Sequence, residues 1–302
     1  MDIKIQRKPG RPRKTPLKTQ LKRNGISLTP LHSDNFLEMI YDSPVIFKRI
    51  FTLFKAMAIQ DMCIEFREKN INILTLDHLK KSHIKVTINC ENINHYYCKE
   101  PINSYVNPKN IEKIIKVLDN DYTSMTFLLK TATNRSMLHI IFKNSINIDE
   151  YREIELIKPS SNTYNISFDE SKYPIKFRLP SKYFKKIIMD ISSFSDTLSI
   201  NKIGESPLSI VYVSKDKTIN SRHVVQDSKS ISLISNITED DIFSSSIHTD
   251  YIKPLSNSLL SDYIFISADN HQNMIFKICA DKNTKPNSEP TIVILINTQT
   301  VH

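Results

Sequence analysis

The largest group of residues able to do chemistry in this chain is cationic. Lys109, Lys113 and Lys116 recur at i, i+4 and i+7, which on a helix sets three ammonium groups along one stripe. Lys48, Arg49 and Lys55 lie off an apolar stripe of Ile46, Ile50, Leu53, Phe54 and Met57, and Lys185 and Lys186 repeat the arrangement further on. Lysine on the exposed face of an amphipathic helix is ordinary. Three such faces almost free of acid are not, and they suit a sequence-independent grip on phosphates. A helix that read base edges would carry Asn, Gln or Arg aimed at them, and none has that pattern.

Two weaker groups invite a metal. Cys90, His95 and Cys98 share one short segment, but a zinc site needs a fourth ligand, and core thiols with a surface histidine are the alternative reading. Glu239, Asp240 and Asp241 beside Thr238 read either as a divalent-ion site or as a capped turn. No glycine-framed serine, phosphate loop or HExxH pair is present, and the only glycines are Gly10, Gly25 and Gly204. The expectation is a protein without catalytic residues, metal or cofactor.

The front of the chain carries "KPGRPRK", Lys8 to Lys14. Residues 1–24 hold nine Lys or Arg against Asp2 alone, so nearly all of the net charge of +9 sits there and the body is close to neutral. Gly10-Arg11-Pro12 resembles an AT-hook, whose arginines, here Arg11 and Arg13, enter the minor groove of A+T-rich duplex. A nonspecific basic arm and a nuclear targeting signal remain open readings of the same residues. Cys63, Cys90, Cys98 and Cys279 show no paired spacing, and no apolar run is long enough to span a membrane. Both features point to a reducing, intracellular setting.

The elements that must hold these cations follow from hydrophobic period. Residues 1–33 read as a tail outside the folded body. "NFLEMIY" reads as a strand, Ser43 and Pro44 as N-cap and first helical residue, and "VIFKRIFTLFKAMA" as a helix. Alternating strands follow ("MCIEF", "INILTL", "HIKVTINC", "NHYYC"), then a helix begun by Asn107 and Pro108, then "SMTFLLKT", "SMLHIIFK" and "REIELI". Lys158 to Pro174 is a polar linker. After it the order repeats: "IKFRL", a helix opened by Pro180 and Ser181, strands "TLSIN", "LSIVYV" and "SISLIS", a helix candidate "TDYIKPLSNSLL" with Pro254 expected in its first turn, and three closing strands. Phe47-Lys48-Arg49-Ile50-Phe51 matches Phe184-Lys185-Lys186-Ile187-Ile188 at an offset of 137 residues, the mark of a duplicated domain. The fold class is α+β, each half two amphipathic helices on a mostly antiparallel sheet.

"YDSPVIFKRIFTLFK", "NINILTLDH", "INHYYC" and "YPIKFRLPSKYFKKI" resemble the PCNA-like sliding clamps of DNA replication, in particular those of large DNA viruses. That resemblance implies two clamp domains, 34–157 and 175–302, joined by the connector 158–174. It implies a homotrimeric ring with helices lining a hole for double-stranded DNA and sheets outside. The ring would tether a DNA polymerase and other replication or repair proteins, as a viral processivity factor in the host cytoplasm at replication factories or in the nucleus, with no membrane contact. The DNA-facing positions it implies are Lys48, Arg49, Lys55, Lys113, Lys116 and Lys186, with Lys185 adjacent. It also implies that copies join through Met137–Lys143 and Lys229–Ser235, and that a partner groove between the linker and the outer sheet includes Leu76, Ile84 and Met274. Met189 stands where such clamps usually carry a cation, and the fourth helix offers only Lys253 and His248. Two other readings compete: a non-ring AT-hook protein of architectural or transcriptional type, and a DNA repair nuclease using Asp240 and Asp241.

Overall fold

The structure is a computed structural model. It describes residues 26–27, 29–42, 44–130, 136–158, 169–214, 216, 218–228, 231–236, 238, 241–258, 261–270, 273–279 and 291–297.

The first half runs β1 (Asn35–Asp42), α1 (Val45–Ala56), β2 (Met62–Phe66), β3 (Asn70–Leu76), β4 (Ser82–Asn89), β5 (His95–Cys98), β6 (Ile102–Val106), α2 (Pro108–Ile115), β7 (Tyr122–Lys130), β8 (Met137–Asn144) and β9 (Asp149–Glu155). The second half repeats the order: β10 (Ile175–Pro180), α3 (Ser181–Phe194), β11 (Thr197–Ile203), β12 (Leu208–Val213), β13 (Asn220–Val225), β14 (Ser232–Ser235), β15 (Ile242–His248), α4 (Thr249–Ser258), β16 (Tyr263–Ala268), β17 (Asn273–Cys279) and β18 (Thr291–Asn297).

The duplication is visible in strand order. One sheet reads β5-β1-β7-β8-β9 and another β13-β12-β11-β15. The third has nine strands, β14-β10-β16-β17-β18-β4-β3-β2-β6, so it joins the second half's copy of the first sheet to the first half's copy of the second. The junction is β18 on β4, antiparallel, with Ile294 opposite Ile84 and Ile292 opposite Val86. All four are fully buried, so apolar burial fuses the halves as well as backbone hydrogen bonds do.

The helices cover one side of this sheet. α1 packs on α2, α3 on α4, and α1 on α4, which sets them in one layer ordered α2-α1-α4-α3. Phe47, Ile50, Phe51, Leu53 and Phe54 of α1 and Phe184, Ile187, Ile188 and Ile191 of α3 face a single core that runs through both halves. The Asn107 side chain accepts from Lys109 N at 3.0 Å and Pro108 occupies the first helical position of α2, as their types require. Elsewhere local rules are overridden. Pro44, not Ser43, is the N-cap position of α1, and Pro254 lies inside α4, not in its first turn.

Expectation and structure part most clearly at the sheet edges. Met137–Lys143 is not available for joining copies, because β8 is bonded to β7 on one side and β9 on the other. The edges left with one neighbour, at the ends of their sheets, include β9 and β13. β14, which covers most of Lys229–Ser235, ends the nine-stranded sheet beside β10 as β5 ends its own beside β1. Residues 1–33 are not wholly outside the body either: Ile26 bridges Tyr96 of β5, and Ser27 N donates to Tyr96 O at 2.7 Å.

Candidate nucleic-acid interface

Each helix turns its apolar stripe to the core and so presents the opposite stripe outward. On α1 the exposed residues are Arg49, Thr52, Lys55 and Ala56; on α2 and its end, Lys109, Asn110, Lys113, Lys116 and Val117; on α3, Lys182, Lys186, Met189, Ser193 and Phe194. No carboxylate is exposed on these three stripes. Because α2 and α1 lie side by side, and α4 bridges to α3, the cations form one basic surface on the side of the molecule away from the sheets.

The sequence-derived cations are not equivalent on it. Arg49, Lys113, Lys116 and Lys186 are exposed and Lys185 is half-buried, and none makes an ion pair among the described residues. Lys48 is half-buried and donates its Nζ to the carbonyl of Leu118 at 2.8 Å, just past the end of α2. Its charge sits near the C-terminal end of α2, where a cation suits the negative end of the helix dipole. Lys55 bonds Glu112 of α2 at 2.7 Å. Lys109 and Lys182 belong to the same exposed stripes and lie one turn before Lys113 and Lys186, so the 3.6-residue period is the signal that finds them. Met189 interrupts the stripe of α3. On α4, Asp250 lies 3.9 Å from Lys253 and 3.5 Å from His248, so that helix adds little net charge. Arg11 and Arg13 lie outside the described residues.

The candidate metal groups disperse. His95 faces outward from β5 and bonds Glu38 at 2.8 Å, while its neighbour Tyr96 faces the core. Tyr96 lies between the thiols of Cys90 and Cys98, and its hydroxyl donates to Arg67 O at 2.6 Å. The three proposed ligands therefore do not converge, because adjacent strand residues point to opposite faces. Asp241 accepts from both the amide and the hydroxyl of Thr238, which is a turn cap and holds its carboxyl below the usual range. Glu239 and Asp240 lie outside the described residues. No group of three or more His, Cys, Asp or Glu among the described residues is placed to hold a metal ion.

Glu38 is almost fully buried on the side of β1 away from the core. Burial alone pushes its carboxyl up, but the amides of Leu31 and His32, the Asn35 side chain and His95 all bond it and hold it below the ordinary carboxylate value. This carboxylate pins the chain that follows the basic tail to the outer face of the first sheet.

The partner-groove residues separate by strand parity. Ile84 and Met274 are fully buried in the main core, on the helix side of the nine-stranded sheet. Leu76 is on the other face, where Leu74 and Ile275 are also buried outside that core. The connector enters at the β6 end, where Ile157 N donates to Tyr105 O at 2.8 Å. It returns by Tyr173, whose phenol is pushed up to about 12 by burial and by Asp269 and Asp169. Residues 159–168 between them lie outside the described residues.

Comparison with known proteins agrees with this architecture. Residues 36–161 match the family model of the proliferating cell nuclear antigen N-terminal domain. An uncharacterized protein of African swine fever virus, isolate Pig/Kenya/KEN-50/1950, is 26% identical over 285 residues, covering 92% of this chain and 94% of the viral protein. Proliferating cell nuclear antigen of Saccharomyces cerevisiae is 25% identical over 164 residues, 54% of this chain and 62% of its own. Among solved structures, proliferating cellular nuclear antigen from Entamoeba histolytica superposes with a TM-score of 0.71 at 16% identity, covering 87% of this chain and 98% of that one.

Proposed function

From its PCNA-like clamp fold, we propose that this chain is a DNA sliding clamp: a homotrimer that encircles duplex DNA and serves as the processivity factor of a viral DNA polymerase. Residues 34–157 and 175–302 are its two clamp domains and 158–174 the connector. The observation that carries the reading is the helix layer, with Arg49, Lys109, Lys113, Lys116, Lys182 and Lys186 exposed and no exposed carboxylate among them on α1, α2 and α3. A surface whose exposed cations are mostly lysine holds phosphates loosely and lets the duplex slide.

Ring closure is supported by the edges. The chain's own junction is β18 on β4; the counterparts of those strands in the other half are β9 and β13, both at sheet ends. Pairing β9 of one copy with β13 of the next repeats the internal junction, and a head-to-tail contact of this kind closes if the rotation permits. Enclosure, not affinity, then retains the DNA, and a polymerase bound to the outer face gains a high effective concentration at the primer end. Leu76 with Leu74 and Ile275 marks that outer face, in place of Ile84 and Met274.

The test is retention on DNA of different topology. The clamp reading expects the protein to stay on closed circular duplex through a high-salt wash and to leave when the circle is cut. Equal loss from circular and linear DNA overturns it and favours a non-ring binder; metal-dependent cleavage of the circle favours a nuclease.

A further inference from the structure

We infer that the seam between copies is held by complementary charge where the seam inside each chain is held by isoleucine, an inference that rests on the ring reading above. The register follows from the duplication. Met39, Phe127, Ile140 and Arg152 lie in line across β1, β7, β8 and β9, as Phe177, Ile266, Phe276 and Ile294 do across β10, β16, β17 and β18. Arg152 is therefore the counterpart of Ile294, and Glu150 of Ile292. In the other sheets, Ile64, Ile73 and Val86 lie in line, as Ile200, Ile210 and His223 do, so His223 is the counterpart of Val86 and Ser221 of Ile84.

Inside the chain Ile292 faces Val86, Val293 faces Lys85 and Ile294 faces Ile84. Carried to the seam between copies, Glu150 faces His223 of the second copy, Tyr151 faces its Arg222, and Arg152 faces its Ser221. The diagonal neighbours of Arg222 are then Asp149 and Glu153, within reach of long side chains. β9 reads DEYREIE, four acids and one arginine, and β13 reads NSRHVV with no acid.

The side chains are poised for this. Arg222 is exposed and uses its Nε on Ser209 Oγ at 2.7 Å, and its terminal guanidinium nitrogens have no partner among the described residues, so they can bond carboxylates. Asp149, Tyr151 and Glu153 are exposed; Glu153 accepts from His139 at 3.0 Å and keeps further acceptor capacity. His223 stacks on Tyr212 and meets Tyr183 OH through Nδ1 at 3.3 Å, which leaves Nε2 for a partner. Glu150 already holds Tyr122 OH and Arg152, so its position at the edge is fixed before the second copy arrives. Neither aliphatic pair that fuses the halves has an aliphatic counterpart here; the one aliphatic pair of this seam, Ile154 with Ile219, stands where Ile296 faces Ser82 inside the chain. The joint between copies is accordingly the weaker and the more salt-sensitive of the two, and is where the ring opens.

The experiment is light scattering of the full chain across concentration, from about 0.1 M to about 1 M salt, a range over which the screening length falls from about 10 Å to about 3 Å. The wild-type assembly should dissociate as salt rises while each chain stays folded by circular dichroism. Arg222→Glu should raise the dissociation constant by at least about tenfold at low salt, as should Asp149→Lys with Glu153→Lys. Combining all three should restore assembly. A wild-type oligomer that no substitution weakens, or a combination that does not recover, overturns this register and leaves the ring standing. A wild-type chain that is monomeric at low salt, with and without DNA, overturns the ring and this inference together.

Discussion

Lys48 of α1 spans to the carbonyl of Leu118, 2.8 Å away at the end of α2, and so ties the two helices of the first half together. A cation with that bond is a strut before it is a phosphate contact. Lys48→Met should lower stability by about 1 kcal/mol, a charged hydrogen bond discounted for partial exposure, and change DNA retention little. Lys113→Glu with Lys116→Glu should do the reverse, with a normal unfolding midpoint and DNA retention and polymerase stimulation lost. Denaturant melts and retention on circular duplex, run on both variants, separate the two roles.

Lys55 is partly spent on Glu112, at 2.7 Å. An exposed pair of this kind contributes about 0–1 kcal/mol, so Glu112→Gln should leave stability nearly unchanged. It releases a cation to the basic surface, and the dependence of log affinity on log salt should steepen by up to about 0.9. Titrations of a short duplex at several salt concentrations measure that slope.

Glu38 makes the fold acid-sensitive in a predictable direction. Its folded-state value is depressed, so its contribution is present above the ordinary carboxylate value of 4.5 and is lost as pH falls through the folded value. Glu38→Gln should cost stability at pH above that ordinary value and flatten its decline below it. Urea midpoints followed with falling pH show whether the wild-type and variant curves converge.

Ile84 and Leu76 lie on opposite sides of the same sheet and should fail in opposite ways. Ile84→Ala, in the core, should cost about 2–5 kcal/mol. Leu76→Asp should leave the unfolding midpoint closer to wild type and reduce polymerase stimulation. A stable Ile84→Ala protein deficient only in stimulation would reverse the assignment of faces.

These contrasts also explain what could be read without coordinates. α2 is legible because Asn107, Pro108 and the Ile111, Ile115 stripe agree on start and face. β13 and β15 are not: β13 buries only Val225, and β15 carries serine on both faces, so neither shows a clean apolar alternation. The joining edges mislead for a related reason. The apolar "MLHIIFK" invites pairing because it is already paired on both sides, whereas a strand that must stay soluble until its partner comes is charged, as β9 is. Which face Ile84 and Met274 take depends on strand register, and a shift of one residue reverses it.

The bridge from Ile26 to Tyr96 and the Glu38 clamp fix where the basic tail begins. The chain ahead of Ile26 has 25 residues, a span of at most about 90 Å when fully drawn out. Its root sits on the outer wall, so in a closed ring its arginines must travel around the rim to touch the threaded duplex.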